Sequence, residues 1–381
     1  MNPNYAYGRE EFVFVKKETV MGTYVAPAAT DAIQVISTDI VFTPQRKRVP
    51  VKTSLRQQLV KVNGRKSGTW SIEKYLLPSG TAGTAPDDTD LWEALMGSIT
   101  DGASDVVYAL TKEPGMSLSI LRQFGPHQEA ICGAVPGKAT ISWGGEEGSE
   151  PKAKFEGVCY DHYLSGTDAL AVAVSAADEI VVVDARQFAV GMLIDVGTDD
   201  NTGAGFLIEG IAYATNTLTL NADVASQAED AVVKPHYLTP TTAGDIMQVI
   251  NGTVTLGGSG IYLTGGSVEI DNAPKLRNNE YGLALPRGLR YPDSRIVKVS
   301  LDMYFERGAL AWYNDAKRYT ALDAVILLGD VAGKEVQIDL TDIEFDIPSV
   351  KIPEADEATI SLTGQADGSA TGDDEVVVTF K

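Results

Sequence analysis

The chain has 381 residues, 44% hydrophobic and 22% charged, with 31 Lys plus Arg against 52 Asp plus Glu and a formal net charge of −21. That is enough apolar residue to bury a large core, in two or three domains, without disulfides or metals. Two cysteines exclude a disulfide framework, and the acidic balance disfavours nucleic acid as the main binding partner, because carboxylates and phosphates repel.

From the N-terminus, residues 1–22 hold no cleavable apolar segment. No later stretch reaches the roughly 18 to 20 apolar residues that cross a bilayer. Synthesis as a soluble cytoplasmic protein with no membrane partner is expected. Between Thr43 and Ser67 stand Arg46, Lys47, Arg48, Lys52, Arg56, Lys61, Arg65 and Lys66, with no Asp or Glu among them. In so acidic a chain, the natural partner for this stretch is an acidic face of another copy. No aromatic residue interleaves with these cations, so stacking on single-stranded nucleic acid is not their role.

Beyond this basic stretch, period-two alternation dominates the chain. It predicts strands at Trp70 to Leu76, Ala139 to Trp143, Arg295 to Phe305, Val336 to Leu340, Thr359 to Leu362 and Val376 to Phe380. In the third of these, Val297, Val299, Leu301, Met303 and Phe305 share one face. After Leu340 the apolar phase slips to Ile343, Phe345 and Ile347, which predicts a bulge or tight turn. Helix is scarce. Asp87, Asp88 and Asp90 supply an N-cap and first-turn acids, and Gly97 the stop, for one short helix whose Leu91, Trp92, Leu95 and Met96 should pack on a sheet. A second is predicted over Ala309 to Arg318 with Leu310 and Tyr313 on one side, before a strand at Ala321 to Leu328.

Residues 165 to 240 change in character. Arg186 and Lys234 are their only cations, and short Val, Ile and Leu strands recur at Ile180 to Val183, Met192 to Val196, Phe206 to Tyr213 and Thr217 to Leu220. This predicts a small β-barrel inserted into a host domain through surface loops. The host parts on either side share an order of strand, short helix and further strands, which leaves an internal duplication open.

No motif that carries chemistry stands out. His127, His162 and His236 have no zinc-site spacing, the glycines from Gly252 to Gly266 form no phosphate-binding pattern, and no nucleophile elbow occurs. Asp195, Asp199, Asp200 and Asn201 have the oxygen chemistry of a calcium loop but not its spacing, so a plain acidic turn is the expected reading and a bound cation is left open. Cys132 and Cys159 are expected to be free and buried in strands. No catalytic residue, metal or cofactor is assigned, and an enzymatic role is not expected. A carbohydrate-binding or adhesive β-sandwich is the alternative, but Trp70, Trp92, Trp143 and Trp312 fall in patterns that suggest burial and not an exposed aromatic platform.

The order of features resembles the tail tube, or major tail, proteins of long-tailed, non-contractile bacteriophages. The residues that carry the resemblance are Glu18-Thr19-Val20-Met21-Gly22-Thr23 leading to Pro27, Gly80 to Pro86 before Leu91-Trp92-Glu93-Ala94-Leu95-Met96-Gly97, Leu327-Leu328-Gly329-Asp330, and Phe345 to Glu357 followed by Ile360-Ser361-Leu362. The resemblance implies a mainly β, tail-tube-type sandwich or barrel with one or two short flanking helices, over residues 13–163 and 245–381. It also implies a long hairpin arm at about 43–67 bracing one ring against the next, and an outer decoration domain at 165–240. Rings, usually sixfold, would stack into a tube that conducts DNA into the host without reading its sequence, with other tail proteins at its ends. A duplicated domain would instead allow three chains to make a pseudo-sixfold ring. The resemblance places the protein in the virion tail, made and assembled in the bacterial cytoplasm. In such a tube residues 1–12 would serve as a second arm, with Tyr5 and Tyr7 as its anchors.

Overall fold

Alternating residues from Ile296 to Tyr304 bury Val297, Val299, Leu301 and Met303 and turn Lys298, Asp302 and Tyr304 to solvent, and the same logic builds most of the chain. The computed structural model describes residues 10–43, 46–49, 60–63, 66–145, 150–247, 251–283, 285–306, 308–352, 354, 357–370 and 372–381. The fold is mainly β, in large antiparallel sheets with two short α-helices among the described residues. It divides into two compact units: Met1–Ile33, Leu118–Ala134 and Cys159–Thr242 form one, and Gln34–Ser117, Val135–Val158 and Ala243–Lys381 the other.

In the first unit the ladder runs from Ala32–Ile33 through Glu11–Lys17, Leu118–Phe124 and residues 127–134 to Asp161–Ser165. Phe14, Leu121 and Ala130 bury one face of it together with Met192. The segment expected to form a small barrel is a six-stranded sheet, in the order Asp168–Ala169, Val232–Pro235, Leu193–Val196, Phe206–Ala212, Thr217–Val224 and Ala177–Val181. Its two end strands meet at a single bridge, Leu170 with Val182. Leu170, Ile180, Phe188, Ile194, Phe206, Ile208 and Leu218 give it a core of its own.

The second unit carries the longer ladder: Ser37–Phe42, Gly68–Tyr75, Lys152–Cys159, residues 135–144, Gly265–Asp271, Ile296–Tyr304 and Thr359–Ala366. Val336–Phe345 joins this ladder to the next. Its Ile343–Phe345 end pairs with Thr359–Ala366, while Val336–Leu340 pairs with Val376–Phe380 along the same edge and with Leu322–Leu328 along the other. The change of partner occurs at the predicted phase slip, where Asp342 adopts φ +51° and Ile343, Leu340 and their partners shift register by a residue.

Helix α1, Thr89–Met96, fills the space between strands of both ladders. Trp92 lies edge-on to Phe155 (4.9 Å between ring centres) and to Phe380 (5.9 Å), and Leu91, Leu95 and Met96 are fully buried, as their spacing predicts. The helix stops at Gly97, whose φ of +98° closes an N–H bond to Glu93 O. A Cβ at that position would sit 1.9 Å from Thr111 Oγ1. Gly97→Ala is therefore expected to cost about 2 kcal/mol through backbone strain and this clash, which urea unfolding followed by circular dichroism measures.

Asp90 supplies the predicted first-turn acid of α1, but Asp88 does something other than cap it. Asp88 holds the N-cap position, yet its side chain makes no cap hydrogen bond. Its carboxylate instead turns inward to Lys74 and Trp92, because buried partners compete successfully with a solvent-facing cap. Helix α2, Ala309–Lys317, also departs from expectation. Ala309 and Ala316 are its buried residues, Leu310 is exposed and Trp312 only partly buried. Small side chains let this helix approach closely, so its large residues point away.

Candidate assembly surfaces

The basic stretch forms a two-stranded antiparallel ribbon where it is described, Arg46–Val49 against Val60–Asn63. The register pairs Arg46 with Asn63, Lys47 with Val62, Arg48 with Lys61 and Val49 with Val60. The register thus sets one cation, Arg48, directly across from another, Lys61. Two like charges directly opposite each other disfavour a ribbon, and a lone pair of strands is at best marginal in water. Such a ribbon gains from an anionic surface against it. Lys66 lies on the return path to Gly68–Tyr75 and is exposed. Lys52, Arg56, Arg65, Tyr5 and Tyr7 lie outside the described residues.

The second unit also presents an acidic depression of about 920 Å³, lined by Glu269, Glu344, Asp346 and Asp367 with Phe345 and Ile347. Among the described residues Lys298 is the only cation on its wall, and it lies 3.6 Å from Glu269, which a second cation, Lys138, approaches to 2.8 Å. Those contacts leave the Glu344, Asp346 and Asp367 side with an anionic excess, and Ile347 is about half exposed. Tyr319 on the rim of this depression, and Tyr262, Tyr281 and Ile352 elsewhere in the same unit, are largely exposed. Their spacing gave no sign of this, since each sits in a turn or an irregular stretch and not on a periodic element.

Other residues singled out in the sequence serve the fold. Asp199 accepts from Asn201 N and Ala225 N, Asp200 accepts from Gly203 N, and Asn201 donates to Gly205 O, so this turn uses its own acids as backbone braces. Asp195 lies apart from them in its strand, 2.6 Å from His236 Nδ1. No group of three or more metal-ligating side chains occurs among the described residues. His162 contacts Glu129 at 2.6 Å. Both cysteines are buried and neither is in a disulfide, and burial pushes the Cys132 thiol up to about 11, which disfavours its thiolate. Trp70, Trp92 and Trp143 are buried and offer no aromatic platform for a sugar.

The phage tail tube protein family model matches residues 8–373. The chain belongs to this family. It is a structural protein of the bacteriophage virion, a component of the tail, whose family implies multimeric assembly into a tube with other tail proteins. No curated protein matches it. The matched span takes in the segment that carries the six-stranded sheet as well as the long ladder, so the tail tube protein includes both compact units. The glycine turns behind the resemblance have structural work here. Gly80 N donates to Gly333 O at 3.0 Å, and Gly333 N to the Lys381 carbonyl at 2.8 Å, which ties the approach to α1 to the end of the chain.

Proposed function

We propose that this tail tube protein assembles with copies of itself into rings, six chains to a ring, and that the rings stack into the conduit through which DNA leaves the capsid. The basic hairpin is the brace between rings. Arg46, Lys47, Arg48, Lys52, Arg56, Lys61, Arg65 and Lys66 of one copy lie against an acidic face of the next, and the depression at Glu344, Asp346 and Asp367 is the fitting receptor. The observation that supports this most is the ribbon itself: its cations oppose one another at Arg48 and Lys61, in a chain with a net charge of −21. A neighbour of opposite sign relieves that pairing.

The same acidity suits a conduit. A wall that repels phosphates lets the polymer slide, and one that binds them holds it, so DNA passes without sequence-specific contact. Residues 165–240 act as an outer decoration domain, and Tyr5 and Tyr7 anchor a second arm. Other tail proteins close the tube's ends, and assembly takes place in the host cytoplasm.

The test is the combined charge reversal R46E/R48E/K52E, followed by negative-stain microscopy. Wild-type protein is expected to give tubes, and the variant rings or single subunits with an unchanged circular dichroism spectrum. Tubes of normal length from the variant would remove the hairpin from the inter-ring contact. Wild-type protein that stays monomeric at high concentration in sedimentation would remove self-assembly itself.

A further inference from the structure

Lys74 stands on the inward phase of Gly68–Tyr75, in line with Trp70 and Ile72, and is almost completely buried. Its Nζ lies 2.8 Å from Asp88 Oδ2, with the two side chains 2% and 1% exposed. The indole Nε1 of Trp92 donates to the same Oδ2 at 2.9 Å. Oδ1 of Asp88 is buried and has no hydrogen-bond partner. Phe155, Phe380 and Tyr108 surround Trp92 with aromatic rings.

We propose that Lys74 and Asp88 condense into an intramolecular amide that covalently ties the strand Gly68–Tyr75 to the start of α1. This inference does not depend on the assembly reading. The Nζ–Cγ bond forms and the Cγ–Oδ1 bond breaks. The ammonium gives up two of its three protons, these leave with Oδ1 as one water, and the opposite charges vanish together, so neither oxidant nor cofactor is required. Each atom has a matching role. Oδ2, held by the Trp92 N–H, stays as the amide carbonyl, and that donor stabilises the negative charge that builds on it during attack. Oδ1, the oxygen with no partner, departs.

Burial favours the exchange. Two charges held out of water carry a heavy desolvation cost, which a neutral amide removes. Fixing amine and carboxyl in contact on rigid elements supplies the proximity that an unassisted amide-forming reaction lacks. Asp87 adjoins the site: burial above all raises its carboxyl pKa, and its charge interacts with that of Lys74. It is the neighbouring group suited to carry a proton.

Intact-mass spectrometry of the denatured full-length chain tests the proposal. The expected mass is about 18 Da, one water, below that of the sequence, and digestion should release one branched peptide containing Lys74 and Asp88. Lys74→Arg should restore the full sequence mass. Asp88→Asn should still cross-link, now losing ammonia, about 17 Da. Trp92→Phe, which keeps a ring in the core but removes the donor, should lower the cross-linked fraction several-fold at a fixed time after synthesis. Wild-type protein that unfolds cooperatively yet has the unmodified mass would overturn the proposal, as would a mass deficit that persists in Lys74→Arg.

Discussion

Trp92→Ala should destabilise the second unit by about 3–5 kcal/mol, the range seen when a buried aromatic is truncated to alanine. The residue is fully buried, and its ring is the one surface that Phe155, Phe380 and Tyr108 share. Alanine leaves a cavity bounded by strands from two ladders, which cannot both close on it without breaking their registers. The loss extends beyond packing, because Asp88 Oδ2 also gives up the indole donor. Trp312→Ala is the control. That side chain lies on α2 and is partly exposed, so its removal should cost less than about 1 kcal/mol. Urea unfolding followed by far-ultraviolet circular dichroism separates the two, and equal midpoints for both variants would show that α1 is not the unit's keystone.

The periodic part of this architecture was legible in the sequence because one face of most strands is buried. Leu340 and Ile343 illustrate how far that reaches: an odd interval between two inward residues is incompatible with a regular strand, and the chain resolves it at Asp342 by exchanging one neighbour for another. Lys74 marks the limit. Its place in the alternation with Trp70 and Ile72 put it inside, whereas its charge argued for the surface, and only the distant Asp88 reconciles the two. Asp88 likewise had two competing roles, and local reasoning favoured the cap.

The grouping of Leu118–Ala134 with Cys159–Thr242 depends on pairings far apart in sequence, for which no local signal exists. For the candidate interface, composition alone disclosed the cations of the hairpin. The opposition of Arg48 to Lys61 required knowledge of where the ribbon turns, and the acidic depression required side chains from four strands and loops.

Glu18→Ala should cost the first unit about 3 kcal/mol or more. The carboxylate is nearly buried, and both of its oxygens are engaged. Oε1 accepts from Ser119 Oγ at 2.9 Å and from Gly133 N at 2.7 Å, and Oε2 accepts from Gly22 N at 2.7 Å. Hydrogen bonds to a charged acceptor contribute roughly 1.5–3 kcal/mol each, and stranding buried donors costs their desolvation as well. The two glycine N–H groups have few alternatives. Gly22 (φ +77°) and Gly133 (φ +59°) both press on the Tyr160 ring, where an added Cβ would come within 2.8 and 2.5 Å, so neither backbone can rotate away to find another acceptor.

Glu18→Gln distinguishes charge from shape. The amide keeps one acceptor but presents its NH₂ to at least one of the same N–H donors, so its cost should fall between wild type and alanine, at about 1–2 kcal/mol. Thermal unfolding of the three proteins should therefore rank wild type above Gln above Ala. A glutamine variant as stable as wild type would mean that the carboxylate's charge adds nothing to this turn. An alanine variant as stable as wild type would mean that water replaces it and the loop is not held by Glu18 at all.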